Sequence, residues 1–292
     1  MTNLKKKQAI LELLIADAFW GFGFVATVWG LKELSPMQFL FLRFLFSWIF
    51  GEIFYFLFTP KNERASFLSE IKISLPAGLL LSLVLLLQTI GLKYTTATQS
   101  GFITTLYVIL VPLFQFFLFQ KKQPISVFIY AFIALVGTYL LTGGNFVQIN
   151  QGDLWTLACA IMAAFHIIYI GVASPKSKNA LRFNTTQSMI CFIFISFLML
   201  IEKQSPQVPQ MGLTWAGVMM TVFGSTLIGF TIQVRIQKVL SAATASMLFL
   251  LESPFAFIFG YLFLSERLNL IQTIGGFVIL IASFLTVRSE RI

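Results

Sequence analysis

Residues 73–94 read ISLPAGLLLSLVLLLQTIGLKY, with no charge before Lys93. At 1.5 Å per helical residue, about 20 such residues cross the roughly 30 Å hydrocarbon core of a bilayer. Similar stretches recur along the 292-residue chain. The expected spans are Gln8–Gly30, Met37–Phe58, Ile73–Tyr94, Ser100–Phe119, Pro124–Thr142, Leu154–Val172, Phe183–Ile201, Leu213–Arg235, Ala242–Leu264 and Leu270–Val287. Ten crossings take about 210 residues and leave about 80 for tails and loops, which excludes a soluble catalytic domain. Composition agrees: 58% of residues are hydrophobic and 11% charged, where a soluble domain carries about a quarter charged. The expected class is an all-α polytopic membrane protein of ten transmembrane helices.

The net charge of +9 does not form the continuous stripe that nucleic acid would require. Lysine and arginine instead fall between apolar segments, in alternation. With the N-terminus in the cytoplasm, fifteen lie inside: Lys5–Lys7, Lys61, Arg64, Lys72, Lys121, Lys122, Lys176, Lys178, Arg182, Arg235, Lys238, Arg288 and Arg291. Four lie outside: Lys32, Lys93, Lys203 and Arg267. That bias orients a multi-pass protein of the inner, or plasma, membrane with both termini cytoplasmic. The first apolar run follows Lys5–Lys7 but is too long for a signal peptide and is interrupted by Glu12 and Asp17, so it is expected to be retained. Cys159 and Cys191 fall within apolar stretches and suggest neither a disulfide framework nor a zinc cluster.

Sliding the chain along itself by 142 residues puts Lys93 on Arg235, Ser100 on Ala242, Thr104 on Ser246 and Pro112 on Pro254. At an offset of 146, Ala18-Phe19-Trp20 lies on Ala164-Phe165-His166. The chain thus divides into repeats 1–147 and 148–292, five helices each. An odd number of crossings makes the second repeat enter the membrane inverted. A site between inverted halves can open to either side in turn, which is the requirement for a carrier.

Several of these residues resemble a known family. Ser241-Ala242-Ala243-Thr244-Ala245-Ser246 leading to Pro254, then Gly260, Glu266 and Gly275-Gly276, is similar to the carboxy-terminal part of the EamA family of the drug/metabolite transporter superfamily. Trp20-Gly21, Pro36, Arg43 and Pro112 resemble its first repeat. The resemblance implies a secondary transporter with a central cavity lined mainly by the first, third, fourth, sixth, eighth and ninth helices, and an aromatic residue in that cavity at Trp20. Its leading implied cargo is an amino acid or related metabolite, exported. Import or exchange by the same fold, a channel, and a membrane-embedded enzyme on lipid-linked substrates are the alternatives. A channel lacks its ring of like residues here, and an enzyme lacks its long loops with clustered acids or histidines. Two departures stand out: Lys121-Lys122 replaces a common glutamate, and His166 replaces a common tryptophan. No Gly-rich loop ending in Gly-Lys-Ser/Thr is present to bind ATP, and no cofactor is expected. The expected partners are a small-molecule substrate, protons as candidate coupling ion, and the lipid bilayer.

Ionisable residues inside spans are costly and mark candidate sites. Glu252 falls near the midplane, with Leu110 as its counterpart in the first repeat. It reads as a proton site or ligand for a cationic group, or as a hydrogen-bonded structural acid beside Pro254. By strict helical symmetry it lies about 100° off the face formed by Ala242, Ser246, Phe249 and Ser253. Asp17, Trp20, Phe24 and Thr27 share a face of the first helix, where Asp17 either lines the pathway or pairs with Arg43. Arg43 reads as a paired or snorkelling structural cation, and Glu52 as interfacial. Ser100, Thr104, Tyr107, Val111 and Gln115 form an inward stripe, with Tyr107 and Gln115 as substrate contacts. His166 and Tyr169 share a face of the sixth helix; a lone histidine makes no metal site, so His166 reads as proton relay, substrate donor or core residue. Pro112 and Pro254 read as paired hinges, since each removes a helical donor at matching depth.

Overall fold

The computed structural model describes residues 3–141, 150–265 and 269–289. The expected repeat boundary at 147/148 lies outside them. Among the described residues the only regular structure is helical. In chain order these helices are α1 (Asn3–Gly30), α2 (Pro36–Phe58), α3 (Phe67–Leu92), α4 (Ala97–Thr104), α5 (Tyr107–Phe117), α6 (Ile125–Leu141) and α7 (Gln151–Ala173). They continue with α8 (Ala180–Ile201), α9 (Gly212–Met220), α10 (Thr231–Ile236), α11 (Ala242–Leu248), α12 (Glu252–Leu264) and α13 (Leu270–Ser289). Among the described residues eight rods are long and apolar enough to cross a membrane, three of them composite: α4 with α5, α9 with α10, and α11 with α12. The apolar stretches of α6 and α13 are shorter, Ile125–Leu140 and Leu270–Ala282.

Several helices begin before their apolar stretch. α3 starts at Phe67, not Ile73, and α8 at Ala180, not Phe183. Hydropathy marks the hydrocarbon core, whereas a helix continues outward wherever its first turn is capped. Asn179 accepts from the Arg182 amide at the start of α8, and Asn150 and Asp153 form a capping box on α7. Ser35 and Gln38 do the same for α2, with Pro36 in its first turn, where a missing N–H is harmless.

The composite rods break for identifiable reasons. Pro254 cannot donate to the Leu250 carbonyl, and the chain there tightens into a 3-10 turn, Phe249–Leu251. Ahead of Pro112 the α4–α5 junction is held by shorter-range bonds, Val108 to Thr105 and Ile109 to Leu106. Between α9 and α10 the stretch Thr221–Phe230 is π-helical, a geometry often found at functional sites.

Packing follows the repeat. α3 lies on α7 as α9 and the π stretch lie on α1; α1 lies on α12 as α7 lies on α4 and α5; α3 meets α8 as the π stretch meets α2. The pairs α2 with α8 and α6 with α13 map onto themselves. Small residues bring these rods into backbone contact: a Cβ on Gly152 would stand 2.6 Å from the Gly91 carbonyl oxygen. Outer faces are apolar, with Phe132 on α6 and Phe277 and Phe284 on α13 all exposed, as lipid contact requires. In-span hydroxyls mostly bond their own helix, as Ser82 does to Gly78 and Thr156 to Gly152.

Charges gather at one end of the bundle. Arg182 Nη1 reaches both oxygens of Glu52 at 2.6 Å, with its guanidinium between the rings of Tyr55 and Phe67. Arg235 pairs with Glu12 at 2.6 Å, and Ser177 joins Glu70 to Lys238. Each of these ties one repeat to the other. At the opposite end Glu33 accepts from the Gln210 and Met211 amides, and Ser35 donates to Gln204.

Hydrogen bonding from the Thr214 side chain, then from the Met211 backbone, holds the Glu33 carboxyl below its ordinary range. A depressed acid stabilises the fold above its unfolded value near 4.3 and loses that contribution as pH falls through its folded value. Thermal unfolding in detergent should therefore show a wild-type loss below about pH 4 that Glu33→Gln lacks. Parallel pH profiles would contradict this.

Candidate functional site

Between the rods lies a cavity with about 650 Å³ of empty space, open solvent at its mouth included, walled by both repeats. α1 contributes Trp20, Phe24 and Thr27, and α2 contributes Arg43. α3 supplies Leu81, Leu85 and Gln88, while Thr104 and Tyr107 flank the α4–α5 junction. From the second repeat come Ala163, His166 and Ile167 of α7, Ser225 and Phe230 of the π stretch, Gln233 of α10, and Phe249 and Glu252 at the α11–α12 break. Each interrupted rod therefore presents its irregular stretch to the cavity.

Two polar systems fix the walls. Tyr107 Oη donates to Glu252 Oε1 at 3.0 Å, joining the two repeats at buried positions. Asp17 is fully buried within electrostatic range of Glu252, and among the described residues neither of its carboxylate oxygens has a hydrogen-bond partner. On the other side, Arg43 Nε donates to Thr226 Oγ1 at 2.9 Å. The Thr226 carbonyl accepts from Asn184 Nδ2 at 2.8 Å, Asn184 Oδ1 accepts from Gln187, and Gln187 Oε1 lies 3.4 Å from His166 Nε2. The π stretch makes this possible, since its Ser225 and Thr226 carbonyls accept from side chains, Trp20 Nε1 bonding Ser225 at 3.1 Å.

Trp20 and His166, matched in the repeats, flank one ring: Phe230 lies 5.5 Å from Trp20 and 6.1 Å from His166. Phe249 meets Trp20 edge-on at 5.1 Å.

Of the candidates read from sequence, the fold brings Trp20, Tyr107, His166 and Glu252 to the cavity wall. Glu252 reaches it because the 3-10 turn before it advances about 20° more per residue than an α-helix does, which turns α12 relative to α11. Ser253 points instead at α4, donating to the Gly101 carbonyl. Three candidates lie elsewhere. Asp17 is fully buried on α1, one turn before Gly21, and is not part of the lining. Gln115 accepts from Gln123 near the end of α5, and Tyr169 donates to the Ile73 carbonyl. Asp17 is not paired with Arg43, and Glu52 is held by Arg182. Pro112 lies within α5 and Pro254 in the first turn of α12, outside the lining. Arg43, expected to be structural, lines the cavity, as do Gln88 and Gln233, which carry no charge to mark them in the sequence. A neutral amide in a run such as Leu86-Leu87-Gln88-Thr89-Ile90 also has no cheap place among lipids, and that signal identifies both glutamines. Among the described residues no group of three His, Cys, Asp or Glu could hold a metal.

The model of the EamA-like transporter family matches twice, over residues 7–143 and 150–288. An uncharacterized transporter of Archaeoglobus fulgidus is 29% identical over 283 residues, covering 96% of this chain and 86% of that protein. The uncharacterized transporter YoaV of Bacillus subtilis is 22% identical, covering 95% and 96%. A solved crystal structure superposes with a TM-score of 0.72 at 17% identity, covering 97% of this chain and 99% of the other, and so shares the fold.

Proposed function

Because the chain belongs to the EamA-like transporter family, we propose that it is a secondary transporter that moves a small organic metabolite, an amino acid or related compound, outward across the inner membrane by alternating access. The observation that carries this reading is a cavity walled by both repeats, with its polar residues placed at helix breaks. On this reading all ten rods cross the bilayer, α6 and α13 included, and the repeats are inverted. The packing supports a two-fold relation between the halves, since the largest helix contacts recur when the repeats are exchanged. The end carrying Arg182, Arg235 and Lys238 then faces the cytoplasm, as do both termini. Cargo meets Trp20, Tyr107, His166 and Glu252, and Glu252 carries the coupling proton. Uptake by purified protein in liposomes, against a metabolite panel, tests the function.

Orientation has its own test. A cysteine at Lys61 or Lys178, both exposed, or at Arg291, outside the described residues, should react only from the cytoplasmic side. Cysteines at exposed Asn150 and Gln207 should react only from outside. Labelling of Gln207 from the cytoplasm would contradict the inverted topology.

Pro112 and Pro254 act as hinges in this scheme, weakening the α4–α5 and α11–α12 rods at matching depth. Alanine at either position should slow transport several-fold more than it weakens substrate binding. Normal cycling in both variants would make the prolines packing features only.

A further inference from the structure

Arg43 is 3% exposed, yet it lines the cavity. Its Nε is engaged by Thr226, and among the described residues neither Nη group has a hydrogen-bond partner and no carboxylate lies within ion-pair distance. The contrast with Arg182 is direct, because that guanidinium holds Glu52 through Nη1 with both oxygens at 2.6 Å. A buried guanidinium without a counter-charge is strongly disfavoured, and its planar fork matches a carboxylate through two parallel bonds. The string Thr226, Asn184, Gln187 holds Arg43 from behind and leaves the Nη edge to the cavity. We infer that Arg43 is the anion anchor of the cavity and receives a carboxylate of the cargo on its free Nη groups. This assignment rests on the transporter reading and names the chemistry that its cargo must carry.

A carboxylate fits better than a phosphate, since among the described residues no second lysine or arginine lines the cavity. The remaining charge there is acidic. Tyr107 engages Glu252 Oε1, while Oε2 has no hydrogen-bond partner among the described residues. The cavity wall therefore carries one cationic and one acidic group together with the rings of Trp20, Phe24, Phe230 and Phe249. Such a cavity suits a zwitterion that places its carboxylate on Arg43 and its ammonium toward Glu252, with an apolar body against the rings.

Binding tests this without requiring transport. The purified full-length chain in detergent is titrated with the protein amino acids, and binding is followed by tryptophan fluorescence. For each that binds, its carboxamide and its des-amino acid are titrated in turn. Wild type should bind both analogues at least tenfold more weakly than the parent. Arg43→Gln should erase the difference between parent and carboxamide, and Arg43→Lys should retain part of it. Equal binding of acid and amide by wild type would overturn the anchor, and needs no variant to fold. So would discrimination that survives in Arg43→Gln, or binding of no amino acid at all. Acid-selective binding without flux in liposomes would support the anchor while contradicting transport.

Discussion

Glu252→Gln should leave the protein folded and remove the response of flux to an imposed pH gradient. Glu252 is buried, bonded to Tyr107 of the other repeat, and set where the 3-10 turn interrupts the rod. A change in its charge therefore acts on the contact between the halves. One proton moved across 100 mV supplies about 2.3 kcal/mol, enough for a cargo gradient of a few tens-fold. Asp17→Asn should have a smaller effect, because Asp17 is not part of the lining and touches Glu252 only through its field. If Glu252 were instead a neutral structural donor, glutamine would replace it almost silently. Flux measured with and without the gradient separates the two, and wild-type, pH-responsive flux in Glu252→Gln would exclude the coupling role.

Gly21→Val should destabilise the fold. An added Cβ at Gly21 would stand 2.4 Å from Phe255 Cβ, 2.7 Å from the Ala256 nitrogen and 2.8 Å from the Glu252 carbonyl oxygen. None of these is the tip of a flexible side chain, so α1 and α12 must part. Overpacking of this kind costs about 1–3 kcal/mol, or several degrees of Tm for a chain this long. Transport should fall with it, because α1 and α12 both contribute to the cavity wall. A Cβ on Gly212 would meet nothing within 4 Å, so Gly212→Ala serves as a silent control. An unchanged Tm in Gly21→Val would contradict the close α1–α12 contact.

The rods are legible in the sequence because lipid imposes a length and an apolar composition on each, and the pairing of Pro112 with Pro254 exposes the repeat. Trp20, Tyr107 and His166 stand out as polar or aromatic groups at inward spacings, and Glu252 as an acid near the midplane. Helical periodicity fails where the helices are not regular. The phase of Glu252 depends on a 3-10 turn, and the carbonyls that hold Trp20 and Asn184 depend on a π stretch that nothing in Thr221–Phe230 announces. Arg43 escapes the sequence for a different reason. A buried arginine predicts a partner, and Asp17 is an in-span acid on the neighbouring helix, but side-chain direction across two helices is a property of packing. Gln115 and Tyr169 share a helix face with cavity residues, yet lie one or two turns too far along their helices.

Counterflow tests the carrier most directly. Liposomes holding the purified protein are preloaded with a bound amino acid, diluted, and given the same compound in labelled form outside. Alternating access predicts a transient accumulation of label above equilibrium, because each return of the cavity carries a molecule back. Label that only rises to equilibrium, or fails to enter, would contradict alternating access.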